Sequence, residues 1–256
     1  MLNRILLIAV MTAALLAIAD SARATLPAVG SPVTLHLEAD ALGLGNGASV
    51  ATWGTSDGPA NAATASGTAQ PTLVTGWSPL GLPGVRFDHD DDRMPLDSAV
   101  DAESIVIFAQ VDVIGGQQFM LGGNPWKVMG VRSGQWFVAD TPPYGTAFSD
   151  TTAPHIFTWV RNEELYLDGV GTGSNALNSK FTGSSAITIL GDEATANPDN
   201  DGPGMTFGEI ILFDTALSVQ DRQTVEAYLT SKWIIPEPAT LSLFAAAGLL
   251  ALRRQR

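Results

Sequence analysis

The chain of 256 residues contains no cysteine. That absence excludes disulfide staples, thiolate catalysis and cysteine-ligated zinc together, and leaves stability to packing. Basic residues are scarce: 13 Lys+Arg against 26 Asp+Glu give a net charge of −13. Such a balance repels nucleic acid and anionic lipid headgroups, so no nucleic-acid partner is expected. Histidine occurs three times, as His36, His89 and His155, with no pair at helical spacing to hold zinc. There is no P-loop and no G-x-S-x-G nucleophile elbow.

What the chain does have begins at its two ends. Arg4 gives the first segment a positive start, residues 5–18 are an apolar run, and Ala22-Arg23-Ala24 is an A-x-A site. This is the pattern of a secretory signal peptide over 1–24, with Ala22 and Ala24 at the cleavage site, so the mature chain is expected to start at Thr25. At the other end stand Pro236-Glu237-Pro238, an uncharged apolar stretch over 239–252, and Arg253-Arg254-Gln255-Arg256. The stretch is short for a full span of about 20 residues unless Ile234, Ile235 and the prolines contribute. The terminal arginines favour the cytoplasmic side, which places everything upstream across the membrane. This tail resembles the PEP-CTERM sorting signal of Gram-negative, biofilm-forming bacteria. The resemblance implies export through the Sec translocon, processing by signal peptidase, transient anchoring by a C-terminal transmembrane helix over 236–256, and cleavage near Pro236, Glu237 and Pro238 by an exosortase.

Setting both ends aside leaves 25–235, one domain's worth of chain with 8 basic and 24 acidic residues, a charge near −16. Such a surface suits solubility outside the cell, neutral sugars, or collection of divalent cations. The core reads as all-β, with short alternating or apolar runs punctuated by Gly, Pro, Asn, Asp and Ser. In 33–39 the residues Val33, Leu35 and Leu37 share one face. Residues 104–112 are nearly continuous in apolar character, as in a strand buried on both faces. Further strands are expected at 49–53, 84–88, 117–121, 127–132, 135–139, 156–161, 165–168, 186–190 and 207–214. Gly134 and the Asp168-Gly169 pair mark two tight hairpins. Strand number and spacing fit a two-sheet antiparallel sandwich.

One helix is expected after Ser218, with Asp221 three residues on as a capping box and Val225, Tyr228, Leu229 and Trp233 on one face. Asp221 at its start and Lys232 at its end suit the helix dipole.

The segment 207–214, then Ala216-Leu217-Ser218, Asp221-Arg222-Gln223, Tyr228-Leu229 and Lys232-Trp233, resembles the closing strand and helix of bacterial concanavalin A-like (laminin G-like) domains. In the same order, Val50–Trp53 resembles that family's early strand, Pro71-Thr72-Leu73 the element that follows it, Leu82–Asp88 with Asp91-Asp92 its strand-turn, and Leu165–Gly169 a later strand. His89 stands where the family usually has Gly. The resemblance spans about 33–233 and implies a concanavalin A-like jelly roll with one short C-terminal helix.

Chemistry is looked for in three places. The acidic run Asp88, Asp90, Asp91 and Asp92 reads either as a Ca²⁺ site, which the resemblance also implies, or as a solvated turn held by its own aspartates. No other cofactor is expected. A second acidic group, Asp192, Glu193, Asp199, Asn200 and Asp201, lacks EF-hand spacing, with Pro203 where the twelfth-position Glu belongs. Among the aromatics, Trp77, Trp126 and Tyr144 are candidates for a sugar-stacking platform, while Trp136, Trp159 and Trp233 read as core. His36 and His155 read as packed or sheet-surface residues. The fold also hosts glucanases, which set two carboxylates on one strand in an E-x-D-x-x-E pattern. No such pattern occurs, and Glu209 and Asp214, five apart, face opposite sides of a regular strand. No catalytic residue is expected.

These readings converge on an exported, non-enzymatic protein of the cell surface or extracellular matrix, binding extracellular polysaccharide or associated with matrix. A glycoside hydrolase on the same fold and a structural surface protein without a ligand are the alternatives.

Overall fold

The computed structural model describes residues 24–88, 91–123, 127–139, 143–175, 178–192 and 204–235. The sorting tripeptide, Ala22, His89, Asp90, Trp126 and the second acidic group beyond Asp192 lie outside the described residues. No helix among the described residues is long and apolar enough to cross a membrane, and 236–256 lie outside them.

Among the described residues, sixteen strands form two antiparallel sheets of eight strands each. The first is built from β1 (Val33–Glu38), β4 (Thr72–Val74), β5 (Gly84–Phe87), β7 (Ser104–Val111), β12 (His155–Val160), β13 (Glu164–Leu167), β14 (Val170–Asn175) and β16 (Met205–Phe213). Its order is β14-β13-β12-β7-β16-β5-β4, with β1 also paired to β16. The second is built from β2 (Thr52–Gly54), β3 (Ala62–Thr64), β6 (Met94–Val100), β8 (Gln117–Gly123), β9 (Lys127–Arg132), β10 (Gln135–Ala139), β11 (Pro143–Ala147) and β15 (Ile187–Leu190). It runs β11-β10-β9-β8-β15-β6-β3-β2.

Trp136 of β10 meets Phe157 of β12 edge-on at 5.2 Å, so aromatic rings lock the two sheets together. The outer side of the first sheet carries the helix α1 (Val219–Trp233), whose Trp233 stacks on Phe108 of β7 at 5.2 Å. With the second sheet on one side and α1 on the other, β7 is buried on both faces, which is why its sequence does not alternate.

The expected all-β sandwich with one closing helix therefore forms. Ser218 caps α1 by accepting from the Asp221 backbone N–H at 3.1 Å. Ser133 and Gly134 both have positive φ (48° and 73°), and so do Asp168 and Gly169 (50° and 77°), the two-residue hairpin geometry that fits the strand twist. Five strands were not anticipated: β3, β4, β6, β11 and β14. They are short, or carry Pro, Gly and polar residues, so neighbours rather than propensity decide.

Strand β16 is the hinge of the topology. One edge pairs with β7 along its length; the other pairs first with β5 through Phe207 and then with β1 from Glu209 onward. Between these halves the register slips at Gly208, a β-bulge. Phe207 lies opposite Ala109 while Glu209 lies opposite Phe108, so the bulge turns Glu209 to the face that α1 covers. A Cβ on Gly208 would meet Phe108 at 2.7 Å, Trp77 at 3.0 Å and Trp233 at 3.2 Å, so the three rings close over the bare backbone.

Candidate functional site

Alternation along β1 puts Leu35 and Leu37 into the core and His36 and Glu38 on the opposite face, toward α1. Glu38 lies opposite Glu209 in the ladder and His36 opposite Ile211. Two like charges directly opposite would repel. Here α1 supplies the remedy. Lys232 Nζ donates to Glu38 Oε1 at 2.5 Å and to Glu209 Oε2 at 2.8 Å, and lies 3.3 Å from Asp40 Oδ1. The Trp233 indole N–H donates to Glu209 Oε2 at 2.8 Å. His36 Nε2 sits 2.7 Å from Glu209 Oε1, and its Nδ1 3.1 Å from Asp57 Oδ2. Both ring nitrogens thus face acceptors, and only the imidazolium donates to both.

The electrostatics follow. Burial pulls the His36 pKa down, but its hydrogen bond to Glu209 and the nearby Glu38 carboxylate overcome this and raise it. Burial likewise works against the Lys232 ammonium, and Glu209, Asp40 and Glu38 together still hold it above the ordinary lysine value. Burial would raise Glu38; its bonds to Lys232 and Ser56 lower it instead. The phenol of Tyr228, 3.3 Å from Lys232 Nζ, is pushed up by burial and by the same carboxylates.

Ligand atoms of His36, Glu38 and Glu209 lie within 4.8 Å of one another, close enough to hold a metal. The position between the carboxylates is taken by the Lys232 ammonium, which is the cation they hold. The separation of the two glutamates also approaches that of a retaining glycosidase pair. Glu209, however, is fully buried with both oxygens engaged, and Glu38 is held as a carboxylate rather than as a proton donor. The pair is arranged to bind α1 to the sheet.

Beside this cluster opens a cavity of about 580 Å³. Ala24, Thr25 and Leu26 form one wall, Ala41 and Leu42 another; Glu38 and the run from Trp53 to Asp57 complete it. Its polar groups are mostly acceptors or hydroxyls: Glu38, Thr55, Ser56 and Asp57. The volume is that of a small-ligand site.

The residues anticipated from sequence fall elsewhere. Trp77 is half-buried, edge-on to Phe108 at 5.5 Å and to Trp233 at 6.2 Å, and its indole N–H donates to Gln110 Oε1 at 3.1 Å. Tyr144 pairs through its backbone with Val138. In the acidic run, Asp88 and Asp91 are exposed, whereas Asp92 is buried and accepts from the Asp88 N–H at 2.7 Å, a turn closed by a side chain. Asp192 lies against that loop through Arg93, 3.5 Å away. His155 is flanked by Asp168 at 2.7 Å and Asp150 at 3.3 Å, and its pKa is raised by the Asp168 hydrogen bond against the pull of burial. Ala24 lines the cavity. The His36–Glu38–Glu209–Lys232 cluster was missed. Its only signals in sequence are a His-x-Glu on the polar face of β1 and a lone Glu209 inside nine otherwise uncharged residues.

No family model matches the chain, and no curated protein does. Among solved structures, a mutant of HCR/D aligns with a TM-score of 0.51 at 10% identity over 78% of this chain and 52% of that one. Domain 4 of AbnA, an extracellular arabinanase from Geobacillus stearothermophilus, solved with arabinotriose, aligns at 16% identity over 77% of this chain and 98% of that domain, TM-score 0.44. The sialidase of Trypanosoma rangeli, solved with sialic acid, aligns at 12% identity over 82% of this chain, TM-score 0.45, and the match spans only 35% of that enzyme. At such identities the likeness is one of fold alone.

Proposed function

We propose that the protein is an exported, non-enzymatic sandwich of the concanavalin A-like (laminin G-like) type, and that it binds a neutral saccharide in the cavity beside Glu38 and Asp57. The observation that carries this reading is the chemistry of the cavity wall. Carboxylates and hydroxyls at Glu38, Thr55, Ser56 and Asp57 suit sugar hydroxyls, and the apolar Leu26, Ala41 and Leu42 suit a sugar's C–H face. A strongly acidic surface favours neutral over acidic glycans. Export, transient anchoring through 236–256 and exosortase processing belong to the same reading and rest on the two terminal sequence patterns. The commitment of Glu209 to His36, Lys232 and Trp233 supports binding over hydrolysis.

The test is a thermal-shift and calorimetric screen of the full chain against neutral and acidic polysaccharides, with Ca²⁺ or EDTA. A glycan present at 100 times its Kd stabilises by about 2.7 kcal/mol. Asp57, whose side chain is 60% exposed, is the residue to vary, since Asp57→Asn should fold and bind at least tenfold more weakly. A panel without a shift would leave a structural matrix protein as the function.

A further inference from the structure

We propose that His155 is a pH-operated latch: its imidazolium ties the 148–152 loop to the β13–β14 hairpin, and loss of its proton frees the loop and loosens the hold of Gln110 on the Trp77 indole. His155 opens β12, where three elements meet. From the hairpin, Asp168 Oδ2 lies 2.7 Å from Nδ1. From the loop, Asp150 Oδ2 lies 3.3 Å from Nε2. These two carboxylates are the charged groups that face the ring. The Phe148 and Phe157 rings stand edge-on to it at 5.5 Å and 6.2 Å, and β7 sets Ala109 opposite it.

The two ties are unequal, and the inequality makes a switch. Asp168 is fixed through both oxygens, since its Oδ1 accepts from the Ile156 N–H at 2.8 Å while Oδ2 faces Nδ1. A neutral imidazole keeps one N–H, and the shorter contact places it on Nδ1. Nε2 is then a bare lone pair. It is buried and makes no aligned hydrogen bond, so its tie to Asp150 is one of charge. Asp150 stays a carboxylate throughout: Thr152 donates to its Oδ1 through backbone N–H and hydroxyl, each at 2.8 Å, and so holds its pKa below the ordinary value. Once His155 loses its proton, a lone pair confronts an anion. The loop side lets go while the hairpin side stays.

The loop passes the change on. The Thr151 carbonyl, next to Asp150, accepts from Gln110 Nε2 at 3.2 Å, and Gln110 Oε1 accepts from the Trp77 indole N–H at 3.1 Å. Trp77 in turn covers bare backbone: a Cβ would meet its ring at 2.7 Å from Gly84 and at 3.0 Å from Gly208. Its ring centre lies 6.2 Å from that of Trp233, in the last turn of α1. The relay thus runs from His155 across the sheet to the end of the helix. Its direction in pH follows from the contacts. The Asp168 hydrogen bond and the two carboxylates raise the His155 pKa above 6.5 against the pull of burial. The latch is therefore closed below 6.5 and opens as pH rises through the folded value.

Hydrogen exchange of the full chain tests this, at pH values set about one unit on either side of the His155 midpoint found by NMR. Protection is taken relative to the intrinsic exchange rate at each pH. On the alkaline side the 148–152 amides should lose protection roughly two- to fivefold, the scale of a partly exposed charge pair. The Trp77 indole N–H should exchange faster in step, while the Ile156 amide keeps its protection. Asp150→Asn leaves an oxygen to accept from Thr152 at a side chain 44% exposed, so it should fold. Its loop should show the alkaline-side protection at both pH values. Equal protection on the two sides in wild type, or the same change in Asp150→Asn, overturns the latch. A loop that opens without Trp77 overturns the relay, and a His155 midpoint below 6.5 overturns the contacts on which both rest.

Discussion

Lys232→Met removes one ammonium and keeps an unbranched apolar stem as far as the ε position. In the wild-type protein that ammonium contacts Glu38 at 2.5 Å, Glu209 at 2.8 Å and Asp40 at 3.3 Å, and its side chain is 4% exposed. Removing one partner of a buried ionic network costs about 3–5 kcal/mol, because the remaining charges stay desolvated and uncompensated. For a domain of this size each kcal/mol moves the melting temperature by roughly 2–4 °C. A fall of roughly 6–20 °C is therefore expected in thermal melts followed by circular dichroism at pH 7.

The pH dependence sharpens the test. Glu38 has a folded pKa below its ordinary 4.5, so its contribution is present above that value and is lost as pH falls. His36 has a folded pKa above 6.5, so its contribution is full below 6.5 and is lost as pH rises through the folded value. Lys232, raised above 10.5, loses its contribution only in strong alkali. The cluster is thus strongest between about pH 4.5 and 6.5. In Lys232→Met the Glu38 carboxylate loses the partner that lowers its pKa and protonates more readily, so the deficit relative to wild type should shrink toward pH 4. A fall of less than about 3 °C at pH 7, or a deficit unchanged between pH 7 and pH 4, would refute the account of the cluster as a charge-balanced lock.

Two further outcomes are expected. Gly208→Ala forces a methyl to within 2.7 Å of Phe108 and should destabilise by about 1–3 kcal/mol, with a changed near-ultraviolet aromatic signal; an unchanged signal and melting temperature would contradict the packing of the bulge. Imidazole titration by NMR should place both His36 and His155 above 6.5, the first through Glu209 and the second through Asp168; either one titrating below 6.5 would contradict its carboxylate contacts.

Local signals carried much of the fold. Ser218 and Asp221 mark the helix start because a cap is a three-residue affair. Asp168-Gly169 and Gly134 mark hairpins because positive φ singles out few residue types. The unbroken apolar run of β7 announces burial on both faces. Strands such as β6 and β14, with their proline, glycines and polar residues, form only because neighbours present edges to them. The cluster was harder for a different reason. Lys232 looks like a charge suited to a helix C-terminus, and nothing near it in sequence shows that it turns inward. Its partners stand 194 and 23 residues away, and the face on which Glu209 emerges depends on a bulge set by three aromatic rings. Regular alternation assigns that face incorrectly.

The division of β16 between β5 and β1 has a kinetic consequence. The first strand of the domain finds its partner only in the last strand, and Lys232, which binds them, lies later still. Pairings of such sequence separation are slow to form because a long loop must close before any contact rewards it. A chain threaded head-first through a narrow channel would reach the far side with β1 waiting and nothing to pair it, and would remain pliable until almost its whole length had passed. The same arrangement brings the first and last strands of the described domain side by side.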